Sequence, residues 1–156
     1  MNTDFIQIVS YASKAPSGHN TQPWKFVIAD SAITIVPNLE VALPVVDGNN
    51  RELFISLGCA VENLCIAASH FGYKTQLAEY SVKGIIIELT KSDFIIEDIL
   101  FHQIEKRQTN RSIYNGNKIS NGALEQLQSI HKKGTIQLYF CLLYTSPSPR
   151  DMRRSR

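Results

Sequence analysis

The sequence predicts an α+β fold, an α/β-type mixed sheet flanked by helices. Three features point to it. Apolar residues recur at helical spacing in 4–13 and across 51–71, and four short stretches rich in Ile, Val, Phe and Thr read as strands. These helices and strands are intermixed along the chain instead of being segregated into blocks.

The first helix is expected over 4–13, with Phe5, Ile8, Val9 and Ala12 on one stripe. It must stop before Pro16, because the residue ahead of a proline is pushed out of helical geometry. A polar loop, Ser17-Gly18-His19-Asn20-Thr21-Gln22, leads to strands at 25–28 and 33–36, broken at Asp30-Ser31. Residues 37–50, with Pro44 and Gly48, read as a long loop. The clearest helix follows at 51–71, with Leu53, Leu57, Ala60, Val61, Leu64, Ala67, Ala68 and Phe71 on one face and Gly72 as its stop. Ile55, Cys65 and Ile66 add apolar surface elsewhere around it, the sign of a helix buried on more than one side. Strands are expected at 75–80 and 85–89, and a helix at 96–106 with Ile96, Ile99, Leu100 and Ile104 inward. After a polar stretch, Ser120 can cap a last helix that turns Leu124, Leu127 and Ile130 to the core.

The chain has 156 residues, 44% hydrophobic and 19% charged, enough for one domain with an apolar core. No stretch approaches the roughly 18 uninterrupted apolar residues of a membrane helix, and the start carries no secretory pattern. Cys59, Cys65 and Cys141 form neither a disulfide framework nor a metal motif, so the expectation is reduced, buried thiols in a cytoplasmic protein. Residues 139–156 hold four of the sixteen basic residues and one of the fourteen acidic ones. The rest of the chain therefore carries 12 against 13, a net of −1. Without a basic stripe in its body, the chain is not expected to bind nucleic acid. The tail changes composition abruptly at Tyr144-Thr145-Ser146-Pro147-Ser148-Pro149. It reads either as translated adaptor sequence joined to a truncated frame or as a disordered basic tail. The domain expected is 1–138, with 139–156 unrelated to it.

Several chemistries lack their parts. There is no G-x-G-x-x-G, no phosphate-cradling P-loop and no G-x-S-x-G elbow, and the four histidines show no metal-ligand spacing with cysteine or carboxylate. No catalytic side chain and no metal site are therefore assigned. Two segments remain. Ala15-Pro16-Ser17-Gly18-His19-Asn20-Thr21-Gln22-Pro23-Trp24 sets amides and hydroxyls between two stiffening prolines, groups able to meet the edge of a planar heterocycle. The plain alternative is a capped connection with Trp24 in the core. In Arg107-Gln108-Thr109-Asn110-Arg111 the alternate side chains share one side in extended geometry, and two guanidinium forks about a hydroxyl suit a phosphate. A solvated polar loop is the alternative there.

Together these segments resemble the nitroreductase (flavin oxidoreductase) family. The first looks like the family's P-S-x-x-N-x-Q-P-W signature and the second like its R-x-S-x-R motif. Gly58-Cys59-Ala60-Val61-Glu62-Asn63-Leu64-Cys65-Ile66-Ala67-Ala68 is similar to its central helix. The resemblance spans roughly 5–138. It implies a nitroreductase-like FMN-binding fold, here incomplete, with Arg107, Thr109 and Arg111 on the FMN phosphate. Pro16, Ser17 and Asn20 would approach the flavin ring across a subunit interface. It further implies hydride transfer from NAD(P)H through FMN to a small-molecule acceptor such as a nitroaromatic or quinone, in a soluble homodimer. The two motifs stand in reversed order relative to typical members. A tandem protein with two related halves accounts for this: about 102–138 would begin the second repeat and a pseudo-dimer would replace the dimer. A catalytically degenerate, flavin-sequestering member is the alternative function.

Overall fold

Two hairpins joined through a long helix build the core. In the structure, a computed structural model describing residues 2–109 and 119–130, two units separate, Met1–Asn110 and Arg111–Arg156. The first unit holds α1 (Thr3–Ala12), β1 (Trp24–Ile28), β2 (Ala32–Pro37), α2 (Arg51–His70), β3 (Tyr73–Ser81) and β4 (Gly84–Lys91), and the second holds α3 (Asn121–Ile130). The strands form one sheet in the order β1-β2-β4-β3, antiparallel at every pairing. The architecture is α+β as expected, and the strands follow hairpin logic, with β3 and β4 joined by the two residues Val82 and Lys83.

Period-two burial sets the faces. Ile33 and Ile35 of β2 and Ile87 and Leu89 of β4 are buried, while Val27, Glu88 and Thr90 point outward. Against the inner face lies α2, whose Leu53, Leu57, Ala60, Leu64, Ala67 and Ala68 are buried. Phe5, Ile8 and Ala12 of α1 close the same core. By length and composition α2 is long and apolar enough to cross a membrane, yet half of its apolar window is buried inside the domain, as in a core helix.

The ends of these elements follow from named groups. Asn2 caps α1 by accepting the Asp4 N–H at 3.0 Å. At the start of α2, Asn50 has φ 57° and makes no side-chain cap. Buried Asp47 does that work, its Oδ2 accepting the Leu53 N–H at 2.9 Å where the helix dipole favours an anion. Gly72, at φ 70°, ends α2 as expected. A second glycine is more constrained: Gly84 has φ 153°, and a Cβ there would stand 2.9 Å from the Ile35 carbonyl oxygen. Gly84→Ala is expected to destabilise the domain by on the order of 2 kcal/mol, read as a lower urea midpoint at unchanged slope. An unaltered midpoint would contradict the tight approach of β4 to β2.

One expected element is absent. The helix predicted over 96–106 does not form. Ile96 and Ile99 are 90% and 87% exposed, and only Phe101 and Ile104 reach the core. Asp98 explains the break: its side chain accepts the Leu100 N–H at 2.8 Å and its carbonyl accepts the Phe101 N–H at 2.9 Å, a local turn that competes with helix. A 3-10 turn at Phe101–Gln103 is what remains. In the second unit Ser120 caps α3 through the Ala123 N–H at 3.3 Å, as expected. Leu124 is half-buried, whereas Leu127 is 41% exposed and so does not face a core as predicted.

Candidate functional site

The proline-bounded loop is the most strained backbone among the described residues. His19, Asn20 and Gln22 all have positive φ (51°, 59° and 50°). Such conformations cost on the order of 1 kcal/mol or more each in non-glycine residues and persist only where the surroundings impose them. Here the loop imposes them on itself. Ser17 Oγ accepts the Gln22 N–H at 2.9 Å, and the Ser17 carbonyl accepts the Asn20 N–H at 3.0 Å. The Gly18 carbonyl takes both the N–H and the hydroxyl of Thr21, each at 3.1 Å. Beyond them, buried Pro23 and Trp24 anchor the loop to the sheet.

A second set of contacts pins the loop to the first turns of α2. The Gly18 N–H donates to Ser56 Oγ at 3.2 Å, and Ser56 Oγ donates to the Glu52 carbonyl at 2.8 Å. A Cβ on Gly18 would lie 3.2 Å from Glu52 Oε2, so the glycine lets the loop lie close to that side chain. Between loop and helix opens a cleft of about 240 Å³ lined by Pro16, Ser17, Gly18, Glu52, Ile55, Ser56 and Cys59. Pro16 and Ser17 thus share one concavity, while Asn20 stands exposed at the loop tip and is not among the lining residues.

The first residue of the arginine motif reaches the backbone just ahead of the loop. Two turn hydrogen bonds on the Gln103 carbonyl, from the Lys106 and Arg107 N–H groups, bring the chain round. Arg107 Nη2 then donates to the Lys14 carbonyl at 3.4 Å, two residues ahead of Pro16. The Lys14 ammonium pairs with Glu105, and this hydrogen bond, then the lysine's charge, holds the Glu105 carboxyl below its usual range. Thr109 is exposed, and Arg111 lies outside the described residues.

The sequence reading missed the helix wall of the cleft. Glu52, Ile55, Ser56 and Cys59 follow each other at three- and four-residue spacing on one face of α2, a pattern visible in the sequence. Which loop would lie over that face was not. Cys59 and Cys65 are free thiols, but each is only half-buried where full burial was expected: Cys59 lines the cleft, while partial burial pushes the Cys65 thiol up, a hydrogen bond to Thr75 partly offsetting it. Cys141 lies outside the described residues.

The geometry defines an α+β domain with a rigid polar loop over an apolar-walled cleft, and with the Arg107 guanidinium on the Lys14 carbonyl just ahead of that loop. Comparison with known proteins then narrows the class. A Mycobacterium tuberculosis protein named "Putative NAD(P)H nitroreductase" is 28% identical over 86 residues, 51% of this chain and 25% of that protein. Its acg counterpart, of the same name and organism, is 25% identical over 101 residues, 64% of this chain and 30% of that protein. The chain thus spans between a quarter and a third of the curated relatives it matches. A crystal structure of a nitroreductase-like protein from Streptococcus mutans is 14% identical, covers 78% of this chain and 89% of that one, and superposes with a TM-score of 0.49. No family model matches. The chain is thus similar in sequence to proteins named putative NAD(P)H nitroreductases, in keeping with the family it resembles.

Proposed function

We propose that this chain supplies one wall of an FMN site in an NAD(P)H-dependent oxidoreductase. The observation that carries the reading is the hydrogen bond from Arg107 to the Lys14 carbonyl, which sets the arginine motif beside the proline-bounded loop although 91 residues separate Pro16 from Arg107. The names of the mycobacterial relatives support the same class of reaction.

The residues fit the cofactor in two ways. Pro16 and Ile55 offer apolar surface to a flat ring, and Ser17 beside them can meet its polar edge, with Asn20 at the loop tip outside the cleft. Charge then orders the ligand. Glu52 lines the cleft, so a phosphate is repelled there and drawn instead toward the exposed Arg107, Lys14 being paired with Glu105. By the motif, Thr109 and Arg111 join Arg107 on that phosphate. When bound, FMN supplies two-electron chemistry, taking hydride from NAD(P)H and passing it to an acceptor such as a nitroaromatic or quinone. The chain's residues bind and orient it, and no side chain acts as nucleophile.

At about 240 Å³ the cleft is smaller than the roughly 300–1,000 Å³ that encloses a cofactor-sized ligand. A second wall is therefore required. It comes from a second copy in a homodimer or from the other half of a tandem protein, in keeping with the reversed order of the two motifs.

A visible spectrum of the full chain tests this after incubation with FMN and gel filtration. Retained flavin absorbance that NADPH bleaches is the expected result. Absorbance retained but not bleached would assign the chain to flavin sequestration, and no retained flavin in a chain that elutes as a dimer would overturn the FMN site.

A further inference from the structure

A second hollow, apart from the loop-and-helix cleft, opens between α1 and the segment that follows β4. At about 520 Å³ it lies within the roughly 300–1,000 Å³ range of small-molecule sites, and it shares no lining residue with the cleft. Its apolar lining is Tyr11 of α1 with Ile99 and Phe101, and its polar lining is His102, Gln103, Glu105 and Lys106. Packing holds the aromatic wall in place. The Phe101 ring stacks on His70 at 3.8 Å and 8°, and it meets the Tyr11 ring at 4.8 Å and 58°. Two rings so inclined suit edge-to-face contact with a third. Ile99 is 87% exposed, so a ligand in the hollow covers an apolar side chain that the fold leaves in water.

Most polar groups around the hollow are already engaged. Glu105 pairs with the Lys14 ammonium. One Glu97 oxygen lies 2.7 Å from His70 Nδ1 and the other 3.1 Å from His102 Nε2, so a single carboxylate, itself outside the lining, bridges two imidazoles. Lys106 is different: it is exposed and has no acidic partner among the described residues. The Gln103 amide and the Tyr11 hydroxyl also have no protein hydrogen-bond partner among those residues. One uncompensated cation and two neutral hydrogen-bonding groups therefore line the same space as three apolar side chains. The neighbours do not cancel that charge, since Lys14, Lys106 and Arg107 stand against Glu97 and Glu105, three against two and a net of +1.

We propose that this hollow is a second binding site, for a planar aromatic ring that carries an anionic group. The ring lies against Tyr11, Ile99 and Phe101, the anion meets the Lys106 ammonium, and the Gln103 amide donates a further hydrogen bond to it. A cation of the same shape meets like charge at Lys106 and binds more weakly. The site does not depend on the FMN reading: it holds its ligand equally in a chain that binds no flavin.

Titration of the isotope-labelled full chain with 2-naphthoate, without flavin, tests the proposal through amide chemical shifts. Saturable shifts are expected at Ile99, Gln103 and Lys106, with Gly18 and Ile55 of the cleft unmoved. The dissociation constant should be on the order of 1 mM, the strength open to a ligand of that size. The matching cation, 2-naphthylmethylammonium, should bind more weakly. Lys106→Met keeps the apolar stem and removes the charge, and should raise the naphthoate constant about two- to fivefold, the scale of an exposed charge pair. Ile99→Ser should raise it by about fivefold through lost apolar cover. Both side chains are exposed, so the domain keeps its fold in either variant. Absent shifts, shifts centred on the cleft, equal affinity for the two naphthalenes, or an unchanged constant in either variant overturns the proposal.

Discussion

Replacing Leu57 by alanine is expected to lower the unfolding free energy by about 2–5 kcal/mol, the range for a buried leucine cut back to its Cβ. Leu57 is 0% exposed and sits midway along α2 among Leu53, Ala60 and Leu64. The sheet behind it presents Ile33, Ile35 and Ile87, all fully or almost fully buried β-branched side chains with little freedom to collapse into a void. The loss is a large share of the 5–15 kcal/mol that holds a domain together. Urea unfolding followed by far-ultraviolet circular dichroism measures it. A loss below about 1 kcal/mol would mean that the α2–sheet interface is not the core. The same interface fixes the site, since Ile55, Ser56 and Cys59 sit within one turn of Leu57, Ile55 and Cys59 on the opposite side of the helix.

Arg107→Ala is expected to weaken FMN binding by about 1.5–3 kcal/mol, the value of a hydrogen bond to a charged group. That is roughly a ten- to 150-fold rise in the dissociation constant. The folded domain should survive the change, because the side chain is exposed and its hydrogen bond among the described residues is one of 3.4 Å to the Lys14 carbonyl. Arg107→Lys should recover only part of the affinity, since an ammonium is a point charge where a guanidinium offers a planar fork. Quenching of flavin fluorescence gives the constants. Equal affinity in wild type and Arg107→Ala would take the phosphate away from this residue.

Much of the fold was legible because its signals are local. Stretches rich in Ile, Val, Phe and Thr marked the four strands, and the 20-residue apolar pattern of α2 was bracketed by Arg51 and Gly72. The segment 96–106 misled for an equally physical reason: its isoleucines keep helical spacing, but the Asp98 turn captures the backbone before a helix can form. At the site, the two halves were legible as motifs. Their meeting was not, because the bond from Arg107 to Lys14 spans 93 residues. Glu52 and Ser56 were missed for the same cause: their partner Gly18 is more than thirty residues distant. The His70–Glu97–His102 bridge joins groups that carry no shared spacing at all.

Intermolecular nuclear Overhauser effects between FMN and the labelled chain test most directly whether loop and arginine share one ligand. Cross-peaks from ring protons to Pro16 and Ile55, together with shifts of the Arg107 guanidinium that follow the phosphate, are the predicted result. Bound FMN with no cross-peak to the loop, or with an unmoved Arg107, would contradict it.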